Sequence, residues 1–218
     1  MKNRRVNKTF LFFKYYDRIK IRYGEINMAR KTRLEIEENY NDCWIYILLL
    51  TTLAILLESI KTYEFSFVGV KISYAILGLP FTYLIVNYIS KKYDYKKAIA
   101  AISISGVISV CFMAMMSFAL GKNLILSNIS GEFCGYVVSH FVNLTIYLFI
   151  LSNTKASYPL ILVNYMFSII VFYMLYTLIY LNKVIYDSYW TSYFITIGID
   201  SIISFILAYV DSKIKRGK

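Results

Sequence analysis

Six apolar runs constrain this chain more than any other feature, at about 44–60, 72–90, 98–120, 132–151, 159–182 and 189–210. A helix crosses the hydrocarbon core of a bilayer with about twenty predominantly apolar residues, and each run meets or approaches that length. One such run fits inside a soluble protein as a buried helix. Six of them in 218 residues do not. The composition agrees, with 58% hydrophobic residues and a mean hydropathy of +0.54, above the roughly half-apolar make-up of soluble domains. The expectation is an all-α polytopic membrane protein. A six-helix transmembrane bundle over 44–210 lies between a basic N-terminal segment, 1–43, and a basic tail, 211–218. None of the runs follows a cleavable-signal layout.

Basic residues set the expected orientation. Assigning alternate segments to one side of the membrane puts 20 of the 24 Lys and Arg there. The positive-inside rule makes that side the cytoplasm, so both termini face inward in the inner membrane. The stretch LGLPFTYLIVNYISKKYDYKKA shows the device: an apolar run ends at Asn87 and is fenced by Lys91, Lys92, Lys96 and Lys97. The net charge of +11 is answered by anionic headgroups of the lipid bilayer, and no nucleic-acid partner is required.

The N-terminal segment keeps two readings. Phe10, Leu11, Phe12, Tyr15 and Tyr16 among basic residues suit an interfacial amphipathic stretch. Alternatively, Gly24-Glu25 can be encoded by a purine-rich, ribosome-binding tract at a suitable distance before Met28, in which case the natural chain starts at Met28. The orientation is the same in both.

Cys43, Cys111 and Cys134 are odd in number, widely spaced and set in or beside apolar runs, as small core residues are. No metal-ligand spacing, Gly-rich phosphate loop, HExxH, GxSxG or CxxC pattern occurs. The chain is therefore not expected to be an enzyme or to carry a metal or a cofactor.

Polar residues within the apolar runs are the candidate site, because a polar side chain in hydrocarbon faces a cavity or another helix. In the fourth run Glu132, Tyr136, His140 and Asn143 form one helical stripe. Beside them Gly131, Gly135 and Ser139 make a small-residue row that admits a close helix. His140, the one histidine, reads either as a hydrogen-bonded packing residue or as a ring that stacks on a ligand. Asp200 lies mid-run with no Lys or Arg at its depth. A carboxylate there costs about 2.5–3.5 kcal/mol, so it carries a proton, bonds inward to a group such as His140, or holds a ligand. Glu58 stands near the outer end of the first run, and Asn164, Tyr165 and Ser168 form a short polar patch suited to joining helices. Asn87, His140, Asn143 and Asp200 are expected to converge on one cavity.

The segment FSFVGVKISYAILGLPFTYLIVNYISKKYDYKKA resembles the vitamin-uptake-type (VUT, YhhQ-like) family of queuosine-precursor transporters. Its first helix leads to a hairpin-like loop, then to a second helix with an aromatic-Pro-Phe-x-Phe-Leu-x-x-Asp core. Pro80, Phe81, Tyr83 and Leu84 match that core, and Ala98 matches the end of the loop after it. Tyr136, Ser139, His140 and Asn143 fall on the family's fourth-helix pattern. Four positions depart from it: Asn87 replaces an Asp, His140 and Asn143 replace a Gln and an Asp, and Asp200 replaces a Lys. The resemblance implies uptake of a small planar ligand, a 7-deazapurine or vitamin-like heterocycle, bound by Asn87, Glu132, Tyr136, His140, Asn143 and Asp200. Two alternatives stay open. One is a substrate-binding subunit of an energy-coupling-factor-type vitamin transporter, served by an energising partner. The other is a non-transport membrane protein with a decayed site. A homo-oligomer also stays open.

Overall fold

The computed structural model describes residues 42–60, 63–67, 69–119, 126–153, 157–180 and 189–214. The chain divides into two units, Met1–Asp42 and Cys43–Lys218. The first lies outside the described residues except at Asp42, and with it both readings of the N-terminal segment.

The described residues of the second unit are helical apart from one hairpin. Helix α1 runs Asp42–Ile60. Strands β1 (Glu64–Phe67) and β2 (Val70–Ser73) pair antiparallel, with Phe67 opposite Val70. The turn between them needs a left-handed residue, and Gly69 supplies it at φ 77°. A 3-10 turn, Tyr74–Gly78, leads into α2 (Leu79–Lys92). Then follow α3 (Tyr95–Ala119), α4 (Leu126–Asn153), α5 (Tyr158–Tyr180) and α6 (Tyr189–Lys213).

Helices α1, α3, α4, α5 and α6 are long and apolar enough to cross a membrane, yet only 28–39% of each apolar window is buried in the protein. Leu48, Met115, Phe149, Phe194 and Ile202 are among the many large apolar side chains left outside. In water such a surface would aggregate. In lipid it is the solvated one.

The second apolar run departs from its expected form. Instead of a helix from residue 72, it gives the end of β2, the 3-10 turn and the 14 residues of α2. Pro80 explains where the α-helix can start, because in a first turn its missing N–H goes unused. At the far end α6 continues beyond residue 210 to Lys213.

Helix α2 lies between two apolar clusters. Its Val86 and Ile89 pack with Leu50 of α1 and Ala101 of α3, while Leu79 and Tyr83 pack with Ile169 of α5 and Leu207 of α6. Helix α4 joins both clusters, through Leu144 and Tyr147. The small-residue row of α4 is used internally. A Cβ on Gly135 would come within 3.3 Å of the Phe172 carbonyl oxygen and ring on α5.

Candidate functional site

One end of the bundle holds a buried polar network. Its centre is Asp211, fully buried near the end of α6. Its Oδ1 accepts from the Tyr147 hydroxyl at 2.7 Å. Its Oδ2 accepts from Asn87 Nδ2 and from the Tyr165 hydroxyl, both at 2.9 Å. Lys91 Nζ donates to the Asp211 backbone carbonyl at 3.1 Å. Behind Asn87 runs a relay of amides. Asn143 Nδ2 donates to Asn87 Oδ1 at 2.7 Å, and Asn164 Nδ2 donates to Asn143 Oδ1 at 2.8 Å. Four helices, α2, α4, α5 and α6, are thus tied to one carboxylate. Every side-chain partner of that carboxylate is a donor, the arrangement that suits an anion.

His140 belongs to a smaller group. Its Nδ1 contacts the Tyr136 carbonyl at 2.7 Å, so that nitrogen carries a proton, and its Nε2 meets Thr82 Oγ1 at 2.8 Å. The ring lies 4.0 Å from that of Tyr136 and 4.7 Å from that of Tyr83, centroid to centroid. The Tyr136 hydroxyl reaches Ser105 Oγ on α3 at 2.9 Å.

The third feature is a cavity of about 170 Å³, bounded by α1, β2, the 3-10 turn and α2 to α5. Tyr136, Phe172, Tyr173 and Tyr176 give it aromatic walls, and Glu58, Ser73 and Ser109 give it polar ones. The rings of Phe172 and Tyr176 are parallel within 5°. Asp200 is fully buried behind this wall, where its Oδ2 accepts from the Tyr173 hydroxyl at 2.9 Å.

The expected site residues therefore separate into three places. Asn87 and Asn143 bond directly to each other. Tyr136 lines the cavity and stacks on His140. Asp200 shares no hydrogen bond with His140, Asn87 or Asn143; among the described residues its one partner is Tyr173. The side chain of Glu132 lies outside the described residues. The polar patch of the fifth run joins helices, since Asn164 bonds to Asn143, and Ser168 offers its carbonyl to the Tyr83 hydroxyl. Asp211, Tyr147 and Tyr165 are absent from the expected set. The spacing of Asp211 from Asp200, eleven residues or about three helical turns, was the available signal that both share one face of α6.

Length, apolar surface and buried polar centres together define a helical, multi-pass membrane protein. Compared with known protein families, with curated proteins and with solved structures, the chain matches none of them.

Proposed function

We propose that the protein is a six-span inner-membrane transporter that takes up a small planar heterocycle, 7-deazapurine-like or vitamin-like, with both termini in the cytoplasm. The observation that carries this reading is the aromatic cavity, about 170 Å³ in volume. A dry cavity of about 150 Å³ holds benzene, so this one suits a single substituted ring system rather than a nucleoside. Tyr136, Phe172 and Tyr176 offer faces for stacking, and Glu58 and Ser73 offer acceptors for the N–H edge of a heterocycle. His140 and Asp200 act through the tyrosines they hold, Tyr136 and Tyr173.

Two further features support the reading. The 3-10 turn of 5 residues and the 14 residues of α2 together rise about 31 Å, a bilayer's thickness, which completes a sixth crossing. In the family that the sequence resembles, a carboxylate stands at the position of Asn87. Here the amide of Asn87 binds the carboxylate of Asp211, so the same place is served from α6. With Lys91 and Lys92 at the cytoplasmic end of α2, the cavity, lined by Glu58, Ser73 and Leu79, lies in the outer half.

Thermal unfolding of the purified protein against a panel of deazapurines and vitamins tests this. A ligand at a hundred times its Kd stabilises by about 2.7 kcal/mol, a readily measured shift. A panel without any stabilising member rejects the reading.

A further inference from the structure

Two carboxylates on α6 are held very differently. Asp211 accepts three side-chain hydrogen bonds, as described above. Asp200 accepts one, and its Oδ1 is buried without a hydrogen-bond partner among the described residues. One turn further along α6, Ser204 Oγ is also buried without a partner. Both residues are 0% exposed. Four residues apart, they share a helix face with Cβ atoms about 5–6 Å from each other, a spacing that one small species can bridge. The titratable groups that face Asp200 among the described residues are the Tyr173 hydroxyl on α5 and, within electrostatic reach, Tyr83 on α2. No Lys, Arg or His side chain does so. Strand β2 also packs against α6, and the side chain of its Lys71 lies outside the described residues.

A carboxylate so placed in a bilayer is neutralised by whatever cation reaches it. We propose that Asp200, together with Ser204, is the site at which the protein takes up a proton from the cavity, as the coupling ion of its transport cycle. Tyr173 sets Asp200 beside the cavity, because it walls the cavity and donates to Asp200. A proton suits the pair better than a metal ion. The pair offers one unpartnered carboxylate oxygen and one hydroxyl, whereas a dehydrated hard cation takes about six oxygen ligands. When the proton binds, Oδ1 becomes an O–H donor and Ser204 Oγ accepts from it, directly or through one water. Oδ2 keeps its bond from Tyr173, no other bond changes, and no net charge is left in the bilayer. The transporter reading is needed only for the word coupling; the proton site is tested without a heterocycle.

The test is an infrared pH titration of the full chain in detergent micelles, read at the carbonyl stretch of a protonated carboxylic acid. Wild type is expected to show a titrating band that Asp200→Asn removes and Asp211→Asn retains. Tyr173→Phe, which removes a donor to the carboxylate, is expected to raise its midpoint, and Ser204→Ala, which removes the acceptor for the protonated form, to lower it, each by about one pH unit or tenfold in proton affinity. These two variants decide the matter even if Asp200→Asn does not fold. A band unchanged by all three substitutions at Asp200, Tyr173 and Ser204 overturns the proposal. So does stabilisation of wild type, but not of Ser204→Ala, when sodium chloride replaces choline chloride at fixed pH, which marks a metal site instead. The heterocycle thermal shift is scored separately on wild type, so either reading can fail alone.

Discussion

Asp211→Ala removes the acceptor that Asn87, Tyr147 and Tyr165 share, and its cost can be worked out from that geometry. A buried donor left without a partner costs about 1–3 kcal/mol. In membrane proteins the measured values are lower, averaging about 0.6 kcal/mol per bond with a maximum near 1.7, because the unfolded chain in lipid also finds partners. Three stranded donors therefore amount to about 2–5 kcal/mol. The Lys91 bond goes to the backbone carbonyl and survives the substitution. The assay is unfolding of the full chain in mixed micelles by increasing sodium dodecyl sulfate, followed by far-ultraviolet circular dichroism. Asp211→Asn keeps one carbonyl oxygen but turns an NH₂ toward donors, so it should lose roughly half as much. Tyr147→Phe and Tyr165→Phe remove a donor and leave the carboxylate two others, so each should cost only about 0.5–1.5 kcal/mol. A loss below about 0.5 kcal/mol for Asp211→Ala, or equal losses for it and the two Phe variants, would refute the view that one acceptor organises this end of the bundle.

Other outcomes follow from the packing. Gly135→Leu should destabilise by at least about 1–3 kcal/mol by overpacking α4 against Phe172. Val138→Leu, on a side chain 41% exposed, should stay within about 0.5 kcal/mol by the same micelle titration. Ala54→Phe fills much of the cavity from α1; if the cavity is the binding site, it abolishes the heterocycle thermal shift while the protein still folds. Reporter fusions at Lys96 and at the C-terminus should report cytoplasm, and fusions at Lys122 and Lys183 the outside. A cytoplasmic signal at Lys122 contradicts the six-span orientation.

The long helices were legible because spanning length and apolar composition are properties of contiguous sequence. The start of α2 was not. Residues 72–78 are apolar enough to extend a helix, and a short apolar run does not distinguish strand from helix; the turn at Gly69 and the pairing of β1 with β2 decide it. Asn87 and Asn143 were legible as inward-facing polar residues, and they do meet. Their carboxylate was not, because Asp211 stands just past the last apolar run, two residues before Lys213, and reads as part of a solvated tail. The expected meeting of Asp200 with His140 rested on equal depth. Depth leaves the direction around each helix undetermined, and the two residues point to different partners, Tyr173 and Thr82. Tyr147 was hidden among 22 tyrosines, most of which suit interfaces as well as interiors, and Tyr165 was read only as part of a patch joining helices.

The brevity of α2 has a consequence for how the protein is made. Its 14 residues rise about 21 Å, short of the roughly 30 Å that lipid demands. In the proposed six-span arrangement its path is completed by the 3-10 turn, a form tolerated at membrane depth only where protein covers it. At its end Gly78 is packed against the Leu57 side chain of α1, which gives such cover. During synthesis, then, α2 is a poor substrate for release into the bilayer one segment at a time. It should stay in the insertion machinery beside α1, and leave only when α3 and later helices emerge to enclose it. Crosslinking of arrested nascent chains to the translocon should therefore persist from α2 well after its last residue has been added.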